Sequence, residues 1–156
     1  MRWIFAGLMV AGLAAPATAD TCFTRTYSGA HLKKNPNQTV RQMAVRFSEQ
    51  GDESYASVRV LFRDTDAVFT QGLICWQPDP ATYGKAFIGC SVECDGGSFT
   101  ARRRGDDAIL IETENGFLVS GDCGEGEELL RWVKDDGADR TVYKLYETEV
   151  SKCPAE

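Results

Sequence analysis

The stretch Cys75–Phe99, CWQPDPATYGKAFIGCSVECDGGSF, decides the fold. It holds three of the chain's six cysteines, a long turn marked by Pro78, Pro80 and Gly84, and a tight turn at Asp95-Gly96-Gly97-Ser98. Between the turns the residues alternate, with Ala86, Ile88, Cys90, Val92 and Cys94 on one face and Phe87, Gly89, Ser91 and Glu93 on the other. A period of two is the mark of a strand. Centring the long turn near residues 82 and 83 sets Cys90 opposite Cys75, which brings the Cα atoms to roughly 5.5 Å, within bridging distance. Centring the tight turn on Gly96-Gly97 sets Phe99, Ala101 and Arg103 beside Cys94, Val92 and Cys90.

The same alternation extends in both directions. Upstream, Met43, Val45 and Phe47 alternate before a turn at Gln50-Gly51-Asp52-Glu53. Ala56, Val58, Val60 and Phe62 follow, Asp64-Thr65-Asp66 turns the chain again, and a strand from Ala67 leads into Cys75. Downstream, Gly105-Asp106-Asp107 introduces a strand over Ala108–Thr113. Asn115-Gly116 is a strong hairpin signal, because a type I′ turn needs positive φ at both central positions, and it predicts a return along Phe117–Asp122. Thr141–Tyr146 adds an eighth strand to these seven. The expected fold is all-β: an antiparallel eight-stranded meander closing into a small up-and-down barrel, which removes the exposed edges of an open sheet. A two-sheet sandwich is the rival, and its crossovers want longer loops. Thr21–Thr39 reads as irregular, with Ser28 capping one helical turn and Asn35-Pro36-Asn37 ending it. Glu127–Lys134, EELLRWVK, fits either a helical turn or two, or a short strand presenting Leu130 and Trp132.

Residues 1–19 read as a signal peptide. Arg2 gives a short basic start, Trp3–Ala14 is an apolar run too short to span a bilayer, and Ala17-Thr18-Ala19 fits the small-x-small cleavage pattern. Cleavage after residue 19 of 156 leaves 137 residues as a single domain over 20–156, and the loss of Arg2 takes the formal charge from -6 to -7. No second apolar segment follows, so no membrane span is expected in the mature chain. The acidity argues against nucleic acid, which rewards clustered Lys and Arg. The expected location is periplasmic or secreted. An even number of cysteines in such an oxidising compartment (Cys22, Cys75, Cys90, Cys94, Cys123 and Cys153) reads as three disulfides. Cys75–Cys90 is the one pairing expected from register, and the other four cysteines stay open. A bridge between Cys22 and Cys153, near the chain ends, would close the largest loop and restrict the unfolded chain most. A zinc site built from Cys90, Cys94 and His31 lacks a second pair with ligand spacing.

Candidates for chemistry are few. His31 is the only histidine in the chain, and neither a serine elbow nor a Cys-His signature accompanies it. The acidic pairs Asp64/Asp66, Asp106/Asp107 and Glu127/Glu128 fall at turns or in a connector, where solvated loop acids are the simpler reading than paired catalytic carboxyls. Asp135-Asp136-Gly137-Ala138-Asp139 lacks the full spacing and closing glutamate of a calcium loop and reads as a solvated acidic turn. No catalytic residue and no cofactor are expected. Arg102-Arg103-Arg104 is the only basic run. The run reads first as a solvated strand end; the sharper reading sets Arg103 on the face of Phe99 and Ala101, pointing into the barrel. There it needs an internal carboxylate such as Glu112, or the anionic group of a ligand.

Cys22–Val40, CFTRTYSGAHLKKNPNQTV, and Cys94–Phe99, CDGGSF, resemble a family of small secreted bacterial proteins of unknown function. The resemblance implies export and bridged cysteines and no activity. The eight-strand order is also similar to the calycin barrels, which hold small apolar or amphipathic ligands, although the G-x-W signature of lipocalins is absent. The leading expectation is a non-enzymatic exported binding module taking a small apolar or anionic ligand, with Arg103 as its ligand-binding residue. The alternative is a protein–protein module, such as an inhibitor whose acidic surface caps a basic lysozyme or protease.

Overall fold

The computed structural model describes residues 20–122 and 128–154. Eight antiparallel strands form a closed barrel: β1 (Thr21–Thr26), β2 (Val40–Gln50), β3 (Glu53–Phe62), β4 (Val68–Trp76), β5 (Ala86–Ser91), β6 (Ser98–Arg103), β7 (Ala108–Glu114) and β10 (Arg140–Thr148). Each of the first six pairs with the next in sequence. β10 then slots between β7 and β1 and closes the ring. The hairpin of β8 (Leu118–Asp122) and β9 (Glu128–Trp132) extends the same sheet beyond the ring, with Val119 buried in the common core. It hangs on the first part of β4, where Phe69 and Thr70 pair with Gly121 and Ser120.

Two expectations are corrected here. Residues 21–26, read as irregular, form a wall strand, while Phe117–Asp122, expected to return along the strand before it, is a strand that pairs with β4 and β9 instead of β7. Asn115 and Gly116 do take positive φ, 61° and 87°, as the turn signal requires. The free edge of β7 is nevertheless occupied by β10 over seven residue pairs from Arg140↔Glu114 to Tyr146↔Ala108. The chain therefore passes beneath the barrel end instead of folding back on β7. Gly97 meets Phe117 there in an isolated bridge.

The stretch around Cys90 shows how little a register error costs when it is even. Cys90 faces Cys75 as expected. On its other side Cys90 faces Phe99, not Arg103, because β5 ends at Ser91 and the loop spans residues 92–97. Cys94 and Asp95 take positive φ within that loop, and Gly97 has φ 79° with the Gly116 carbonyl oxygen only 2.3 Å from where a Cβ would sit. The shift of four residues keeps Phe99, Ala101 and Arg103 on their expected face, since faces alternate with period two, while Phe87, expected on the face opposite Cys90, packs against the core. A bulge lies between Ala86 and Ile88, in β5 and not in β6, so Arg103 keeps its inward parity.

The interior is filled by side chains, the arrangement an eight-stranded barrel is just wide enough to permit. Phe23, Met43, Val45, Phe62, Phe69, Phe99, Phe117, Ile109, Ile111, Tyr143 and Leu145 are all below 2% exposed and belong to one continuous core. Each such side chain contributes about 1.5–3 kcal/mol through burial. Aromatic rings run the length of the barrel, from Phe87 to Phe47 (6.0 Å), to Phe99 (6.5 Å) and on to Phe117 (5.2 Å). Edge-to-face contacts of this kind add to the burial.

One end of the barrel is closed by the segment after β9. Val133 is fully buried, the Thr39 hydroxyl donates to the Lys134 carbonyl (2.6 Å), and the Tyr143 hydroxyl donates to Asp135 (3.1 Å). Asp135 is thus half-buried and paired, which corrects its reading as part of a solvated turn. Burial pushes its carboxyl above the usual range, more than the Tyr143 bond draws it down. Burial likewise pushes the Tyr27 hydroxyl up to about 12. Arg131 closes the flank of this end, lying 4.2 Å over the Phe62 ring with both of its terminal nitrogens on Asp64.

Candidate functional site

At the opposite end the chain reaches the start of β1, the ends of β2 and β4, and the beginnings of β3 and β5. These converge on a cleft of about 720 Å³ at the barrel mouth. Its floor is Phe47, Phe87, Ile88, Ile74 and the Cys75 side of the Cys75–Cys90 bridge. Trp76 lies at the edge, its ring packed against Gly89, where any Cβ would overlap it. The rim carries Glu49, Asp52 and Glu53, all exposed, and among the described residues no lysine or arginine lines the cleft. The sequence explains this placement. Phe47 and Cys75 are inward positions at strand ends, and the turn that joins β2 to β3 is itself acidic.

Arg103 sits beside this mouth. Its guanidinium lies 5.3 Å from the centroid of Phe23 and 5.5 Å from that of Phe87, and it reaches Glu147 at 3.4 Å. It is half exposed. The side chain keeps the inward parity of the sharper reading, but at the barrel end it stays half in solvent, as the strand-end reading has it, and caps the aromatic core. Its internal partner is Glu147 of β10, not Glu112. Glu112 points outward from β7, between the inward Ile111 and Thr113, and meets Arg102 and Arg140 on the outer wall. Glu147 has the inward parity of Tyr143 and Leu145 and lies across β7 from Arg103. Alternation alone would have found it once β10 was known to neighbour β7.

The other sequence candidates are dispersed. His31 sits on a one-and-a-half-turn helix, α1 (Gly29–Lys34), capped by the Ser28 hydroxyl. Its ring lies 4.9 Å from that of Tyr27, and Nε2 is 3.0 Å from Gln38 Oε1. Asp64 and Asp66 belong to separate arginines, Arg131 and Arg41. Glu127 lies outside the described residues. Within EELLRWVK, Glu128–Trp132 forms the strand β9. Among the described residues no group of three or more His, Cys, Asp or Glu gathers as a metal site.

Two disulfides brace the barrel. Cys75–Cys90 joins adjacent strands at the mouth, with Cα atoms 4.0 Å apart. Cys22–Cys153 ties the turn at Val150–Lys152 to the outer face of β1 and buries both sulfurs against Ala44. Cys94 is exposed and unpaired among the described residues, and Cys123 lies outside them. The signal-peptide reading of residues 1–19 also falls outside the described residues. No helix of the described chain is long and apolar enough to cross a membrane.

Fold and site together define a disulfide-braced antiparallel barrel with a packed interior, one end sealed and the other carrying an aromatic cleft with an acidic rim. Comparisons with protein-family models, with curated proteins and with solved structures find no match for the chain.

Proposed function

We propose that this protein is an exported, non-enzymatic small-molecule-binding module whose barrel mouth takes an organic cation with an apolar body. The observation that carries the reading is the lining of the mouth: Phe47, Phe87 and Trp76 beside Glu49, Asp52 and Glu53, with no basic side chain among them. Aromatic faces attract cations through the ring quadrupole, and carboxylates at the rim reinforce the attraction. The volume lies within the range of small-molecule pockets. Because the interior is filled by its own side chains, the ligand sits at the mouth and not in the lumen. Glu147 and two ring faces already answer the charge of Arg103, so an anionic ligand is not needed there. Arg103 instead supports Phe87 from behind. The two disulfides support an oxidising, exported setting.

Titration of the mature protein with benzyltrimethylammonium, benzyl alcohol and benzoate, followed by calorimetry, tests this reading. The three probes share a ring and differ in charge. The cation should bind most tightly, lose affinity as salt rises, and lose several-fold on Phe87→Ala or Glu53→Gln. Equal binding of benzoate, or no binding of any probe, would overturn it.

The acidic rim also favours a second reading, in which the mouth receives a lysine or arginine side chain of a basic protein partner. Salt-sensitive capture of a lysozyme by the wild type but not by Asp52→Asn/Glu53→Gln, with no affinity for the small cation, would support that reading instead.

A further inference from the structure

We propose that the outer wall of the barrel carries a second binding site, which takes a small hydroxyl-bearing organic anion by its phosphate or carboxylate group. The site is a cleft of about 480 Å³ between α2 (Pro80–Tyr83), with the turn that follows it, and the outward faces of β6, β7 and β10. Three cations line it: Lys85 after the turn, Arg102 on β6 and Arg140 at the start of β10. Strand register gathers them. Ala86, next to Lys85, lies opposite Arg102, Thr100 lies opposite Glu112, and Arg140 lies opposite Glu114. Asp79 fixes the approach of this turn by capping α2, its carboxylate accepting from the Ala81 N–H and the Thr82 hydroxyl.

The groups of this cleft do not balance one another's charge. Arg102 and Arg140 both rest on a single atom, Oε1 of Glu112. Lys85 makes no ion pair among the described residues, and neither does Glu114, the other acid of the lining. Three positive side chains against two negative ones leave a cationic excess, in a chain whose formal net charge is -6. Arg102 shows the same deficit at the level of atoms. Its Nη2 reaches Glu112 at 3.3 Å, while the neighbouring Nε is buried and meets no acceptor among the described residues. A buried N–H without a partner costs free energy, and buried donors are nearly always satisfied. Nε and Nη2 form one edge of the guanidinium, an edge that accommodates two oxygens of a carboxylate or phosphate side by side. The Arg102 side chain as a whole is 44% exposed, so it has room to turn that edge to a ligand.

The rest of the lining suits hydroxyl groups better than an apolar body. Ser98 and Thr100 alternate outward with the buried Phe99 and Ala101 of β6, and their hydroxyls make no hydrogen bond among the described residues. Tyr83 adds a third hydroxyl on a half-exposed side chain. The volume falls in the range of small-molecule sites and exceeds what a bare inorganic anion fills. This cleft shares no lining residue with the mouth, so the proposal stands whatever the mouth binds.

Calorimetric titration of the mature protein with glycerol phosphate, glycerate, inorganic phosphate and glycerol tests it, together with nitrogen–proton correlation spectra of the arginine Nε–H groups. At least one of the two organic anions should bind, less tightly as salt rises, and the tighter of them identifies the head group. Inorganic phosphate should bind more weakly and glycerol not at all. The Nε–H signal that is missing from Arg102→Lys should shift in the wild type on saturation. Lys85→Gln and Arg140→Gln should each weaken binding about fivefold, and Arg102→Lys about tenfold. Lys85 has no partner in the fold, so Lys85→Gln isolates the ligand contact if an arginine variant fails to fold. Absence of binding by either organic anion at ~10 mM overturns the proposal, as does binding of inorganic phosphate or glycerol equal to theirs. An Arg102 Nε–H signal that stays in place, or Lys85→Gln and Arg140→Gln variants that bind as tightly as wild type, overturns it as well.

Discussion

Removing each disulfide separately should give two very different losses of stability. Cys22 and Cys153 are 131 residues apart, and Cys75 and Cys90 are 15 apart. Cross-linking reduces the entropy of the unfolded chain with the logarithm of the loop it closes, which gives about 5 kcal/mol for the long loop. The same relation gives about 3 kcal/mol for the short one. Cys22→Ala/Cys153→Ala should therefore cost ~2 kcal/mol more than Cys75→Ala/Cys90→Ala. Both bridges are largely buried, so the loss of packing is similar in the two cases and the difference isolates the loop. Urea unfolding under non-reducing conditions provides the assay, read against the wild type. The long-loop variant should also show the larger increase in m-value, because its unfolded state expands further. If the Cys75/Cys90 variant lost as much stability as the other, or more, chain entropy would not be the source of the stabilisation. The local strand pairing at the mouth would then have to account for it.

Three further outcomes follow from the geometry. Arg103→Ala removes a guanidinium from the faces of Phe23 and Phe87 and should lower stability by ~1–2 kcal/mol, with Glu147→Gln costing less, as thermal melts would show. Gly97→Ala should destabilise by more than ~2 kcal/mol, because a Cβ there meets the Gly116 carbonyl in addition to an unfavourable φ; Gly105→Ala, with positive φ but open space, should cost ~1 kcal/mol. Asp135 has a folded-state pKa raised by burial, so its contribution favours the fold below the unfolded value of 3.8 and is lost as pH rises through the higher folded value. Asp135→Asn keeps an oxygen to accept from Tyr143 and should leave the protein more stable than wild type at neutral pH, with the gain vanishing in denaturation curves taken below pH 4.

The faces of the strands were more legible than their neighbours. Alternation placed Cys90, Phe99, Ala101 and Arg103 inward, and the long turn located the Cys75–Cys90 bridge, because both depend on local spacing. The strand at Thr21–Thr26 escaped because Cys22 and Phe23 are both buried, one under Cys153 and Ala44 outside the wall and the other in the core. Two adjacent buried residues erase the period that identifies a strand. The Asn115-Gly116 signal was read correctly as local backbone geometry and wrongly as a pairing, because a competing edge partner lies twenty-five residues downstream of it at Arg140. The mouth cleft was not legible at all. It is assembled from five strand ends, and its acidic rim looks in sequence like an ordinary turn at Gln50–Glu53.

The position of β10 between β7 and β1 has a consequence for the order of assembly. Until residues 140–148 exist, β1 and β7 each lack the neighbour they have in the finished barrel. The first wall strand emerges from the ribosome more than a hundred residues before the strand it must bond to, so closure is necessarily the final event. Contacts so distant in sequence slow folding. A chain built this way remains threadable through a narrow pore for as long as its last strand is withheld.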